Sequence, residues 1–495
     1  MKSIQLLVVV AVAWFGGVAH VVARDIYVDN VAGLETNDGL AATAGAKGRG
    51  PFKTIHRGMR TAVPGDVVHL VKNAGVPYRE SVVFHDRVCP AELPIVLDGH
   101  GAVIEGCEAV DLAQWELVEP GLYRKTKLLK HCDSAVVGRY FFRFDGVMQH
   151  MGRTSKGPSA MLKDPMLLRP GEWTFVPAEL KVEAQEIVDP KEAARLKEQA
   201  HADGAFYVKL DPAKKVTDYK IEYPARSSGV QVSGRNENIV IRNLEVRHVY
   251  NDGYNIHGYS RGVLFENVAA IECGDDGISA HDDCRITVRG MLSKGNSTGF
   301  CHTNESWSDA EDVRIEGCLG FDVFVLGSGR HRLAKSLVRS AASSSVVTIG
   351  PTKKEEAGEC VLEMDDVHMI RAGKNRQMRL MARSVVRMTN STIAGFHIAC
   401  AAQELTVRDS KIGSRGARGG EADDAGRDDA IADRPKTLTL DPTTKFTGAN
   451  NVYDLKEIVR GKLIVNRENW ATEAAKLGDA GSEWGDLSVP RDLGR

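Results

Sequence analysis

Short strings of alternating apolar and polar residues recur through the second half of the chain. Gly229-Val230-Gln231-Val232-Ser233 is followed by Gly253-Tyr254-Asn255-Ile256-His257, then Gly277-Ile278-Ser279-Ala280-His281. Gly299-Phe300-Cys301-His302-Thr303 and Val323-Phe324-Val325-Leu326-Gly327 come next. Each string begins roughly two dozen residues after the last. Weaker copies surround Val347/Ile349, Met378/Leu380 and Phe396/Ile398. A second series lies between them: Ile239/Ile241, Val263/Phe265, Ile286/Val288, Val313/Ile315, Leu362/Met364, Val386/Met388 and Leu405/Val407. Most of its members are followed by a small or polar residue, namely Asn243, Asn267, Gly290, Gly317, Asp366, Asn390 or Asp409.

Alternation with period two predicts strands with one face buried. Each string is too short to form a core alone. Coils stacked ~4.8 Å apart turn the inward residues into continuous apolar columns. The expectation is an all-β fold, a right-handed parallel β-helix with two clear strands per coil and room for a third. A leucine-rich repeat would need Leu at fixed places and a helical period in each unit, and neither is present.

The flanking sequence predicts the ends of such a solenoid. Asp25 to Asp29 and Val67 to Leu70 are strands, Pro64-Gly65-Asp66 is a turn, and Ile55 to Ala62 is a short helix that caps the open column. The segments expected are an N-terminal cap with first coils over 24–106, a β-rich insertion over 107–225 and the main β-helix over 226–412. A flexible loop over 413–435 and a C-terminal coil over 436–495 follow, the latter with a tail helix near Trp470 to Leu477. Asp189-Pro190 reads as a helix start inside the insertion.

Residues 1–23 read as a secretory signal: Lys2, an apolar run from Leu6 to Phe15, and small residues before Arg24. Export to the outside or a periplasm is expected, with no membrane span once the signal is removed. The 495 residues are 43% hydrophobic, enough for a large core, and the formal charge of −2 with no basic stripe argues against nucleic acid as a partner. None of the nine cysteines stands in a CxxC pair, so a zinc reading has no support, and buried stacking is expected over disulfides.

The string Gly50-Pro51-Phe52-Lys53-Thr54-Ile55, the Pro-Gly-Asp turn, Tyr78-Arg79-Glu80-Ser81-Val82 and Gly171-Glu172-Trp173 together resemble the pectate-lyase-like superfamily of right-handed β-helix proteins. That superfamily holds lyases, hydrolases, esterases, epimerases and non-enzymatic surface proteins, so the resemblance implies a fold rather than a reaction. More locally, Asn251-Asp252-Gly253 and Gly274-Asp275-Asp276-Gly277-Ile278-Ser279 resemble the two acidic motifs of polygalacturonases. The resemblance implies general acid and base roles for Asp252, Asp275 and Asp276 in an inverting hydrolysis. Where that family carries Gly-His-Gly, this chain reads Ser297-Thr298-Gly299-Phe300.

Spacing places Asp252 with Asp276, and His257 with His281, at equivalent positions of successive coils. The two imidazoles are expected to stack on one outer surface about 5 Å apart. The aspartates sit at one edge of that surface, and Asp282, Asp283 and Glu305 at the other. Asn255, Tyr259, Glu305 and Trp307 are candidate substrate contacts, the aromatics because sugar CH faces suit them. His302 falls in the inward row of Val232, Ile256, Ala280 and Leu326 and is expected to be buried.

The sequence therefore points to a secreted carbohydrate-active protein that cleaves a polysaccharide, with glycoside hydrolysis first. A Ca²⁺-dependent uronate lyase is the alternative: Asp282 and Asp283 are metal candidates, and Lys294, Arg261, Arg285 or Arg330 are candidate bases. A non-catalytic glycan-binding or surface β-helix remains a third reading.

Overall fold

A computed structural model describes residues 23–149, 162–179, 189–352, 358–373, 377–413 and 436–487. The expected signal, except its last residue, and the expected flexible loop beyond residue 413 lie outside these segments.

The strings stack as their alternation requires. Val230, Tyr254, Ile278, Phe300 and Val323 align on successive parallel strands of a 12-stranded sheet. A 17-stranded sheet forms the rest of each coil. Its long strands, such as Arg235–Arg247 and Tyr259–Ile271, each have two limbs. Ile239 and Ile241 lie in the first limb, Leu244 and Val246 in the second, and all four are buried. Asn243, Asn267, Gly290, Asp312, Lys335, Asp366 and Asn390 form the corner between limbs, all at φ between 46° and 75°. Asn, Asp and Gly reach this left-handed region at low cost, which explains the polar residues after each second string. The corner also bonds between coils, with Asn243 Nδ2 donating to Asp98 Oδ1 at 3.0 Å. Each fully buried Val, Ile or Phe contributes roughly 1.5–3 kcal/mol. A lone strand gathers too little of this, and the stack pools it along one column.

The register departs from expectation in the fourth coil. Ile286 and Val288 stack on Ser308 and Ala310, while Val313 and Ile315 lie over Met291 and Ser293 in the second limb. Asp312, not Gly317, is the corner residue there. Ser308 and Ala310 are too small and too weakly apolar to announce a strand. Near the C-terminus Ile398 pairs with Met378, so Phe396/Ile398 was two residues out of register.

The helix at the N-terminal end is Ile55–Thr61, capped by Thr54, whose hydroxyl accepts the Arg57 N–H. Ile55 and Met59 are buried against the first coil. A Cβ on Gly58 would stand 2.7 Å from Val28 and 3.1 Å from Val68, so only glycine permits this seating. At the other end Trp470–Leu477 packs over the last strands.

Ile95–Glu105 pairs directly with Arg235–Arg247, although 107–225 intervenes in the chain. Among the described residues of that excursion are two four-stranded antiparallel sheets. They enclose a separate aromatic core that includes Trp115, Tyr140, Phe142, Trp173 and Phe206. Pro190–Ala202 is helical with Asp189 as its N-cap, and a second helix, Ser134–Arg139, had no clear sequence signal. All nine cysteines are buried, and none forms a disulfide. No described helix is long and apolar enough to cross a membrane.

Candidate functional site

Asp252, Asp275 and Asp276 precede two adjacent strands of the smaller sheet, or begin them, and each places a carboxylate oxygen within 4.8 Å of the others. All three are buried, at 3%, 6% and 1% exposure. Asp252 bridges the coils: its Oδ1 accepts the Asp276 N–H at 3.0 Å and its Oδ2 accepts Asn255 Nδ2 at 2.7 Å. The Arg139 guanidinium, from the excursion, stands 3.5 Å from Asp275 Oδ2. Asn255 Oδ1, Ser297 Oγ and Thr298 Oγ1 are buried close by without a hydrogen-bond partner. Thr298 is paired directly with Asp276. Buried polar atoms are rarely left unbonded in a finished fold. Clustered carboxylates and unpaired hydroxyl and amide oxygens are groups able to hydrogen-bond a polar ligand.

His257 and His281 stack face to face, with ring centroids 4.3 Å apart and planes 2° from parallel. His281 Nε2 is 2.6 Å from Ser279 Oγ and its Nδ1 is 2.6 Å from Thr303 Oγ1. Burial holds the His257 imidazole below the usual histidine range, and the Asp282 carboxylate 3.6 Å away partly opposes it. His257 lies five residues past Asp252, so about 16 Å separates the imidazoles from the carboxylates along the strand direction. The two groups do not form one reacting centre: the carboxylates are buried and the His257 imidazole is partly exposed.

The remaining candidates do not converge. Asp282 is exposed, with φ of 53°, and accepts the Gly258 N–H at 2.9 Å. Asp283 is engaged by Arg261 through both oxygens, at 2.9 and 2.7 Å. Adjacent in sequence, they serve different partners. Glu305 is exposed in the turn before Trp307–Glu316. Tyr259 lies beneath Arg261 and Arg235, 4.1 and 5.2 Å from ring centroid to guanidinium, and Arg285 covers Trp307 at 4.5 Å. Both aromatics belong to the larger sheet, so they are away from the aspartates. Arg330 pairs with Glu363.

Residues 205–349 match the family model for the right-handed β-helix region. The chain is a right-handed parallel β-helix protein. Among solved structures, the β-helix is similar to one described as a glycoside hydrolase, at 10% identity and a TM-score of 0.45, covering 93% of this chain and 96% of that one. It is also similar to the complex of XylC with xylose, at 11% identity and a TM-score of 0.37, covering 89% and 86%. A GH136 lacto-N-biosidase from Eubacterium ramulus matches at 12% identity and a TM-score of 0.37, covering 94% of this chain and 68% of that one. No curated protein matches at the sequence level.

The β-helix also holds polar groups that the strings concealed. His302 faces inward, fully buried, paired with Ala280 and Val325 rather than Leu326. Its Nδ1 accepts the Ala280 N–H at 3.1 Å, and its Nε2 has no hydrogen-bond partner. The His331 ring lies 5.3 Å away and bonds Ser308 Oγ at 2.9 Å. Burial keeps both imidazoles neutral, and holds His331 down to about 3. One coil on, Asp322 takes the place of the column Gly253, Gly277 and Gly299. Its carboxyl is buried, accepts the Ser340 hydroxyl, and is pushed up to about 7 by burial.

Between the β-helix and the excursion, His248 bonds Glu105 at 2.9 Å and faces Glu272 at 3.3 Å. Burial opposes its charge, but the two carboxylates outweigh it and raise the imidazole above its ordinary value. Lys72, His100, Asn243, Asn267, Asp312 and Arg314 help line an open groove of about 750 Å³ on the larger sheet. The corner asparagines were legible in the sequence as turn formers. That they also face a groove depends on the bend between limbs, which no local pattern reveals.

Proposed function

We propose that this β-helix is a secreted or periplasmic carbohydrate-active protein that cleaves a polysaccharide by glycoside hydrolysis. The observation that supports it is the convergence of Asp252, Asp275 and Asp276 within 4.8 Å. Like charges this close repel, and a proton held among them makes one carboxyl an acid and leaves another a base. Glycoside cleavage needs that pair, an acid for the leaving oxygen and a carboxylate for water or the anomeric carbon. Asn255, Ser297 and Thr298 would bond sugar hydroxyls with their unpaired atoms. The His257–His281 pair would hold a more distant part of the glycan.

The same three carboxylates offer the oxygen ligands that Ca²⁺ takes, which is the support for an eliminative uronate lyase. One experiment separates the readings. The mature chain is incubated with plant, algal and animal polysaccharides, with and without chelator, and followed by reducing ends and by ultraviolet absorbance of unsaturated sugars. Hydrolysis gives new reducing ends without that absorbance, insensitive to chelator. Asp252→Asn and Asp276→Asn each then lose at least 100-fold in rate while still folding cooperatively, although Asp252→Asn melts lower because one of its two buried acceptors becomes a donor. Full cleavage by both variants sinks the acid–base assignment. Binding without turnover across the panel leaves the scaffold reading instead.

A further inference from the structure

We propose that His69 and His100 form a divalent transition-metal site on the outer face of the first coils, independent of the aspartate cluster. His69 lies on Val67–Leu70 and is paired with Asp98 of Ile95–Glu105. His100 follows two residues later, at φ of 48°, with its N–H bonded to Asp98 Oδ1 at 3.1 Å. These two strands therefore present both imidazoles on one face. His69 Nδ1 and His100 Nε2 are 2.9 Å apart, while the ring centroids are 5.2 Å apart and the planes 21° from parallel. The rings thus meet edge to edge, nitrogen to nitrogen, unlike the face-stacked His257 and His281.

The outer nitrogens decide the tautomers. His69 Nε2 is 2.8 Å from Asp25 Oδ1, and an ionised carboxylate only accepts, so His69 carries its proton on Nε2. Its Nδ1 is then a lone pair aimed at His100. On the far side, His100 Nδ1 faces Asp98 Oδ1 at 3.6 Å. Each imidazole thus has a carboxylate behind it and a ring nitrogen in front. His69 has the arrangement of a metal-bound histidine, whose second nitrogen is oriented by a carboxylate, and His100 has its carboxylate just beyond hydrogen-bond reach. One ligand atom from each of His69, Asp98 and His100 lies within 4.8 Å of the others. Asp98 is 5% exposed and fixed by Asn243 and Arg242, so it orients His100 rather than moving to the metal.

Zinc with two imidazole nitrogens at ~2.0–2.1 Å in tetrahedral geometry sets them about 3.3 Å apart. The nitrogens must part by about 0.4 Å and each ring must turn by about 35° from its present head-on contact, which partly exposed side chains on adjacent rungs allow. The side chains of His69 and His100 are 20% and 50% exposed, so an ion has access from solvent. The donor set, imidazole with carboxylates behind, suits Zn²⁺, Ni²⁺ or Cu²⁺ rather than Ca²⁺. His100 also lines the groove shared with Lys72 and Arg314, so open coordination positions would stand at the end of that groove.

The test uses the mature chain, stripped with chelator and titrated with Zn²⁺ by calorimetry. One Zn²⁺ per chain is expected, lost in His69→Ala and in His100→Ala, and weakened 10–100-fold in Asp25→Asn. The zinc-free variants should melt as the parent does, because the replaced side chains are not in the core. His257→Ala/His281→Ala should retain the binding. The proposal is overturned by absence of stoichiometric binding, by binding that survives loss of both His69 and His100, or by binding that disappears with His257 and His281. None of these readouts depends on glycan cleavage.

Discussion

The imidazoles of His257 and His281 lie parallel at 4.3 Å, and the Asp282 carboxylate stands 3.6 Å from His257 Nδ1. Two positive charges at that separation repel, and burial already disfavours charge on His257. His257 should therefore titrate below the ordinary histidine value in an imidazole NMR titration. Asp282→Asn removes the one contact that favours the charged form, so it should move His257 further down. An upward movement would contradict the assignment of causes. If the pair holds glycan far from the bond cleaved, His257→Ala should raise KM more than it lowers kcat.

Gly277 has no room for a side chain. A Cβ there would stand 2.2 Å from Ser293 Oγ and 2.7 Å from the Gly299 carbonyl oxygen. Gly277→Ala should cost about 1–3 kcal/mol through overpacking, measured as a lower denaturant midpoint. The same change at Gly75, where nothing lies within 4 Å, should cost less, with only its φ of 74° to oppose it.

Buried titratable groups give stability two opposing pH limbs. The Asp322 carboxyl is raised from 3.8 to about 7, so its contribution is complete below pH 4 and lost as pH climbs to 7. His331 is lowered from 6.5 to about 3, so its contribution is complete above pH 6.5 and lost as pH falls toward 3. Asp322→Asn should flatten the alkaline limb and raise stability at pH 8, by no more than about 4 kcal/mol. Denaturant midpoints of parent and variant at pH 5 and pH 8 check this. An equal pH dependence in both would place the alkaline limb elsewhere.

Asn267 sits at the bend between limbs with φ of 50°. Asn267→Val should cost roughly 1–3 kcal/mol in strain, whereas Asn267→Gly should be much milder. Chemical denaturation of the two variants side by side separates backbone strain from the loss of the 3.4 Å bond to Asn243.

The coil was legible because Val230, Tyr254, Ile278 and Phe300 each recur between a glycine and a small or polar residue. It blurred where Ser308 and Ala310 took inward places, since small residues carry little periodic signal. The stacking of His257 on His281 followed from equal spacing in successive coils. The opposition of His69 and His100 did not, because 31 residues and an irregular turn separate them. The burial of Asp252, Asp275 and Asp276 was also hidden. They occupy the positions of turn formers, and only the packed excursion and neighbouring coils show how deep they lie.

The pairing of Ile95 with Ile239 spans 144 residues of chain, whereas Ile239 meets Val263 after only 24. Contacts of the second kind close small loops and form fast; those of the first must wait for a long one. Assembly should then begin among the central coils, with the N-terminal turns docking late onto an already formed template. A truncated chain lacking those turns would present an open sheet edge, ready to recruit a strand from another molecule.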